Sequence, residues 1–211
     1  MIFPENFWRL KKKYLDYFKS NQIKINEYFN FVTKEANEYF KKKLNNCKFY
    51  FEYGSGSSTL YVDKKFKKYI SIETDKSFYS LIKTKIKKKN SLKFMSLGLV
   101  GEFSYPFYVS KNKIKNYVES LDFFIIKKSF PDLILIDGRF RVACCLNLLK
   151  FKEIINSKSI IILDDFKKRE NYKVLKRYFN IKLVGRFGIL KVKKYTKTKN
   201  YFIEKYYKDC T

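Results

Sequence analysis

Histidine is absent from the 211 residues, tryptophan occurs once, alanine twice, proline three times and glycine seven times. Without histidine a mixed Cys/His zinc centre is excluded. The four cysteines, Cys47, the pair Cys144 and Cys145, and Cys210, show neither C-x-x-C nor zinc spacing. They read as reduced thiols, which predicts a cytoplasmic location, with Cys144 and Cys145 as small helix residues. Long hydrophobic runs are also missing. SIIIL (159–163) and DLILI (132–136) are strand-sized, far short of the ~18–20 apolar residues of a membrane span. The start, MIFPENFWRLKKK, puts charge after a short interrupted apolar patch, the wrong order for a secretory leader. No internal repeat is visible. What is present is 45% apolar residues, enough for a sizeable core and for one domain at this length.

Acidic residues are the other shortage: 20 Asp plus Glu face 47 Lys plus Arg, a net charge of +27. Such a field attracts polyanions and makes nucleic-acid binding one reading. Only six of the basic residues are arginine (Arg9, Arg139, Arg141, Arg169, Arg177 and Arg186), although arginine is preferred for bidentate phosphate and base recognition. Lys, Asn, Ile, Phe and Tyr, all with AT-rich codons, fill the chain instead. The rival reading is therefore a lysine-solvated surface shaped by an AT-rich genome.

The first 45 residues read as a helical extension, with apolar spacings of three and four over 7–18 and 25–44. From 46 to 193 short apolar runs alternate with amphipathic segments. Strands are expected at 47–53, 68–73, 91–97, 132–137 and 159–165, with a final pair over 181–193 meeting near Gly185 and Gly188. Helices are expected from about Thr59, over 76–89, 111–121, 139–151 and 169–179. The basic, aromatic segment 194–211 reads as a helical or frayed tail. Alternation of this kind implies an α/β fold, a mostly parallel sheet with helices on both faces. Ligands of such folds bind beyond the carboxyl ends of the strands. Gly54, Gly56, Gly98, Gly101 and Gly138 all follow expected strands.

The strongest local signal is Glu52-Tyr53-Gly54-Ser55-Gly56-Ser57-Ser58-Thr59. A strand running into Gly-x-Gly lets the backbone turn sharply, with the free amides of the next helix facing a ligand. Seventeen residues past Gly56 stands Glu73, at a strand end where a carboxylate accepts both ribose hydroxyls. A P-loop fails, because no lysine follows Gly56. A dinucleotide loop would want glycine at Thr59 and no acid at Glu52. A cofactor with a cationic amino-acid end tolerates Glu52, which describes S-adenosylmethionine. A Gly-rich turn in an unrelated α/β protein is the bland alternative.

On these residues the chain resembles a class I S-adenosylmethionine-dependent methyltransferase. Glu52 to Thr59 matches the first motif, and Glu73 in SIETD the acidic ribose position. GEFSYP, DLILIDGRFRVACCLNLL and IIILDDFKKRENY are similar to a group of small bacterial methyltransferase-like proteins with a DGRFR motif. Many of those carry His-Asp-Tyr where this chain has Asp164-Asp165-Phe166. The resemblance implies a Rossmann-like, seven-stranded sheet and S-adenosylmethionine as cofactor, but specifies the substrate poorly. The expectation is methyl transfer to a small-molecule or glycan-like acceptor, at oxygen; the alternatives are a nucleic-acid-binding or nucleic-acid-modifying protein of this fold and a cofactor-binding protein without transfer activity. It implies that Gly54, Ser55, Gly56, Ser57, Ser58 and Thr59 hold the methionine end, with Glu52 near its ammonium. Glu73, with Thr74 beside it, would take the ribose, and Ser96 would lie against the adenine.

A second constellation is acidic: Asp137 ends LILID, and Asp164-Asp165 end IIILDD 27 residues later. Adjacent parallel strands would bring the three together beside the reacting methyl, with Asp137 and Asp164 available for proton removal. Three oxygen ligands also suit Mg²⁺. Alternatively Asp137 starts a turn with Gly138 and Asp165 caps the next helix. Arg139 is expected in the pocket, facing a substrate carboxylate or phosphate, and Arg141 outward on the helix. Ion pairing with Asp164 or Asp165 is the other reading of these arginines. Tyr105 and Phe107 flank Pro106 on the long loop after the third strand and are candidate acceptor walls. Trp8 and the first helices are candidates for a lid or for a simple cover over the sheet.

Overall fold

The computed structural model describes residues 25–26, 28–65, 68–124, 129–194 and 203–211. The helix expected over 7–18, and Trp8 with it, lie outside them. Helix α1 (Lys34–Asn45) opens the described fold, then β1 (Phe49–Tyr53), α2 (Ser57–Lys64), β2 (Lys68–Glu73), α3 (Lys76–Lys85) and β3 (Leu92–Phe94). There follow α4 (Lys111–Val118), α5 (Ser120–Phe124), β4 (Leu133–Ile136), α6 (Arg141–Asn147), α7 (Lys152–Lys158) and β5 (Ile160–Leu163). The hairpin β6 (Phe179–Val184) and β7 (Phe187–Val192) closes the sheet. The strand order is β3-β2-β1-β4-β5-β7-β6. The first five strands pair in parallel, and β7 runs antiparallel to both β5 and β6.

Strand period 2 divides the core between the faces. Phe51, Tyr53, Ile134, Ile136, Ile161 and Leu163 point to one side, under Tyr117 and Val118 of α4 and Ala143 to Leu146 of α6. Tyr50, Leu133, Leu135 and Ile162 point to the other, where Ala36, Phe40 and Leu44 of α1 and Val62 of α2 cover them. Both faces are covered, so β4 and β5 read as continuous apolar runs, and β1 departs from one only at Glu52. The C-terminal segment joins the first of these cores through Ile203, with Tyr206, Tyr207 and Cys210 packed against it. It is therefore docked rather than frayed over 203–211.

Three expectations shift. The helix expected over 25–44 starts only at Lys34, because Thr33 caps it through Ala36 N–H at 3.3 Å and Val32 sits in the left-handed region. The third strand shrinks to Leu92–Phe94, an edge strand paired with β2 alone. The segment expected as a helix over 169–179 winds as 3-10 helix over Glu170–Arg177. Among the described residues no helix is long and apolar enough to cross a membrane.

Candidate functional site

The carboxyl ends of β1, β2, β4 and β5 converge on a cavity of about 680 Å³. Its floor is made by two turns in backbone contact. Gly54, just past β1, has φ +91°, and a Cβ there would lie 2.8 Å from Gly138 past β4. A Cβ on Gly138 would in turn lie 3.0 Å from Gly54 N. Glycine at both positions is thus a requirement of close approach. Gly56 differs: nothing lies within 4 Å of a Cβ placed there, so the loop is open towards the cavity.

Glu52 does not join the wall. Its carboxylate is fully buried and accepts hydrogen bonds from the Tyr50 hydroxyl at 2.7 Å, the Ser58 hydroxyl at 2.8 Å and the Thr59 hydroxyl. Thr59 Oγ1 accepts from Gly56 N–H at 2.9 Å. Burial raises the Glu52 pKa, and the hydrogen bonds from Thr59, Tyr50 and Ser58 oppose the rise. The expectation of Glu52 beside a ligand ammonium is therefore corrected. Tyr50, Ser58 and Thr59 turn its carboxylate inward, where it ties the loop to the start of α2. Thr59 is buried for the same reason and stays off the wall.

Glu73, at the end of β2, does line the cavity. One oxygen accepts from Ser55 N–H at 3.1 Å and the Ser55 hydroxyl at 2.5 Å; the other accepts from the amides of Thr74 at 2.7 Å and Asp75 at 2.8 Å. Burial raises its pKa against those bonds. Gly54, Ser55, Gly56, Ser57, Ser58, Thr74, Asp137, Arg139, Asp164 and Asp165 share the wall. Ser96 does not: it is exposed, its Oγ accepts from Gly98 N–H at 3.2 Å, and β3 stops short of it. Ser96, expected against the adenine, is therefore off the cavity wall. Phe103, Ser104 and Tyr105 line the cavity from the loop after β3 instead, Phe103 and Ser104 with positive φ. Tyr105 is on the wall as expected; Phe107 is half exposed and backs Gly101.

The three aspartates do come together, but with arginines rather than as a ligand set. Arg186, from the β6–β7 turn, lies 2.7 Å from one oxygen of Asp164, donates to the other at 2.8 Å and also holds Asp165. Arg169 reaches Asp165 at 3.5 Å. Arg141, expected outward, is 4% exposed: it pairs with Asp137 at 2.9 Å and Asp165 at 3.6 Å and donates to the carbonyls of Asp137, Gly138 and Asp164. Asp165 itself is left-handed at φ 59° and makes no capping bond. Burial and the Asp137 charge push Asp164 up to about 8 against the pull of Arg186 and Arg141. Among the described residues no group of three acidic or thiol side chains is arranged to hold a metal ion. The Mg²⁺ expectation for Asp137, Asp164 and Asp165 does not fit, since guanidinium groups occupy the oxygens a cation would need. Arg169 and Arg186 were not singled out by sequence reading; the available signal was arginine's rarity, for four of the six line this cavity.

A seven-stranded sheet of this order, with a Gly-x-Gly turn after β1 and an acid ending β2, is the Rossmann-like architecture expected from the sequence. A methyltransferase-like protein from Silicibacter pomeroyi DSS-3 has this fold, with a TM-score of 0.66 and 19% identity over 85% of this chain and 96% of its own. The MycE methyltransferase of the mycinamycin biosynthetic pathway, solved with Mg and SAH, gives a TM-score of 0.44 and 12% identity over 83% of this chain and 52% of its own. No protein-family model and no curated protein matches the sequence.

Proposed function

We propose that the chain is an S-adenosylmethionine-dependent methyltransferase acting on a small-molecule or glycan-like acceptor at oxygen. The supporting observation is the cavity itself, whose lining brings together the Gly54–Ser58 loop, the Glu73 carboxylate, Asp137 and Asp164. Its volume is in the range of sites that enclose a ligand. When bound, the cofactor supplies a sulfonium methyl: the acceptor oxygen forms the new C–O bond as the S–C bond breaks, and sulfur keeps the electron pair. Glu73 accepts from the ribose hydroxyls. The amides of Gly54, Ser55 and Gly56 already donate to the Ile72 carbonyl, Glu73 and Thr59, so the Ser57 and Ser58 amides that open α2 take the methionine end.

Asp137 and Asp164 take the acceptor's proton. Asp137 is the more open of the two, its side chain 34% exposed. Asp164 is 2% exposed, and burial with the Asp137 charge pushes its carboxyl up to about 8. The remaining contribution is alignment of oxygen and methyl, which needs no further group.

Calorimetry with S-adenosylmethionine and S-adenosylhomocysteine, on wild type and Glu73→Gln, tests the cofactor. Micromolar binding that weakens at least tenfold in Glu73→Gln supports the reading; no binding to wild type overturns it. Labelled methyl transfer to a panel of hydroxylated small molecules and glycans then identifies the acceptor. Transfer should rise with pH to a plateau above about 8.

A further inference from the structure

Four arginines line the cavity, and three have carboxylate partners: Arg141 on Asp137, Arg169 on Asp165 and Arg186 on Asp164 and Asp165. Arg139 is different. It is 7% exposed, its Nη1 is buried with no hydrogen-bond partner, and it forms no ion pair among the described residues. Its guanidinium stands 4.7 Å from the centre of the Tyr105 ring, and its backbone N–H donates to the Tyr117 hydroxyl at 3.2 Å. The group is thus held in position by a ring above and a fixed turn below, with a donor left over.

An unpaired ion taken out of water is strongly disfavoured unless something compensates it. A cation–π contact returns only part of that cost. Burial and the neighbouring Arg141 charge lower the Arg139 pKa, the sign expected of a cation without a counter-ion. In a chain that uses lysine almost everywhere else, the planar fork is retained at a spot where its geometry matches carboxylate or phosphate oxygens.

We propose that Arg139 is the receptor for an oxyanion, a carboxylate or phosphate, on the molecule bound in this cavity. The identity of that molecule rests on the methyltransferase reading; the receptor does not. Two sources share the chemistry: the amino-acid carboxylate of the cofactor, and an anionic group on the acceptor.

Wild type, Arg139→Met and Arg139→Lys are titrated calorimetrically with S-adenosylhomocysteine and with 5′-methylthioadenosine, which lacks the amino-acid end. Inorganic phosphate and acetate are titrated into the free and the S-adenosylhomocysteine-loaded protein. If Arg139→Met weakens S-adenosylhomocysteine at least tenfold while methylthioadenosine is unchanged, the anion is the cofactor's. If S-adenosylhomocysteine is unchanged and the loaded wild type takes phosphate or acetate at least tenfold more tightly than Arg139→Met, it is the acceptor's. All ligands within twofold across wild type and Arg139→Met overturns the proposal. If wild type binds neither nucleoside, the methyltransferase reading fails alone, and phosphate and acetate on the free protein still decide Arg139. Arg139→Lys keeps the charge without the fork and should fall between the other two. Arg139→Met should melt at or above the wild-type temperature, since replacing an unpaired buried ion by an apolar side chain removes a desolvation cost. A purely structural arginine would lower it.

Discussion

Ser55 presents its amide and its hydroxyl to the same oxygen of Glu73, at 3.1 and 2.5 Å. On the proposed reading a ribose hydroxyl bound at that oxygen takes the place of the serine hydroxyl. Ser55→Ala should therefore leave S-adenosylhomocysteine affinity unchanged or up to a few-fold tighter, whereas Glu73→Gln weakens it at least tenfold. Calorimetry on both variants checks the pair. Equal losses in the two would mean that the serine is itself a ligand contact.

Glu52 should behave in the opposite way. Its carboxylate faces three hydroxyls and no cavity, so Glu52→Gln keeps ligand affinity within about threefold. Glu52→Ala strands the hydroxyls of Tyr50, Ser58 and Thr59, and buried groups without partners cost about 1–3 kcal/mol each. A chemical denaturation series on the two variants separates these cases. A tenfold affinity loss in Glu52→Gln at unchanged stability would return Glu52 to the ligand.

The sheet was legible because its central strands β4 and β5 are covered on both faces, which forces apolar runs that stand out in a lysine-rich chain. Glu73 and Asp137 were legible for a related reason: a polar residue ending such a run must lie at the sheet's carboxyl edge. Glu52 was misread because spacing places it beside the loop but says nothing of the hydroxyls at 50, 58 and 59 that draw its carboxylate inward. Arg186 was invisible, since it reaches Asp164 across 22 residues from a hairpin turn with no motif of its own. The start of α1 was misplaced because apolar spacing continues through Phe29 and Phe31, while Val32 and the Thr33 cap set the actual boundary.

Asp164 makes stability depend on pH. Its carboxyl rises from 3.8 to about 8 in the folded chain. Between those values the folded state holds a proton that the unfolded state has lost, so stability falls as pH rises across the window. Asp164→Asn should flatten that fall, and thermal melts from pH 5 to pH 9 show it. A fall of unchanged slope in Asp164→Asn would place the proton elsewhere.

Arg186→Met should add to the same dependence. The guanidinium is the main positive charge on Asp164 and shares Asp165 with Arg141 and Arg169. Its removal leaves buried carboxylates under-compensated, a change of about 3–5 kcal/mol for a buried pair broken on one side. Below the Asp164 transition the carboxyl is protonated and the loss is smaller. The melting difference from wild type should therefore be greater at pH 9 than at pH 6; a constant difference would mean that Arg186 acts by packing alone.

Gly138 carries the tightest steric constraint at the floor of the site. A Cβ there would lie 2.0 Å from the Tyr117 hydroxyl and 3.0 Å from Gly54 N. The first contact is with a side chain and the second with backbone, which makes the two separable. Gly138→Ala should cost about 1–3 kcal/mol, the range for overpacking a dense interior. Tyr117→Phe removes the hydroxyl, along with its bond to Arg139 N–H. Gly138→Ala combined with Tyr117→Phe should be more stable than Gly138→Ala alone, yet below wild type, because the backbone approach to Gly54 remains. A four-point denaturation cycle measures the coupling. If the two losses simply add, the alanine is accommodated by moving the β4 turn instead. Ligand affinity should then drop along with stability, since the same turn carries Asp137 and Arg139 into the cavity.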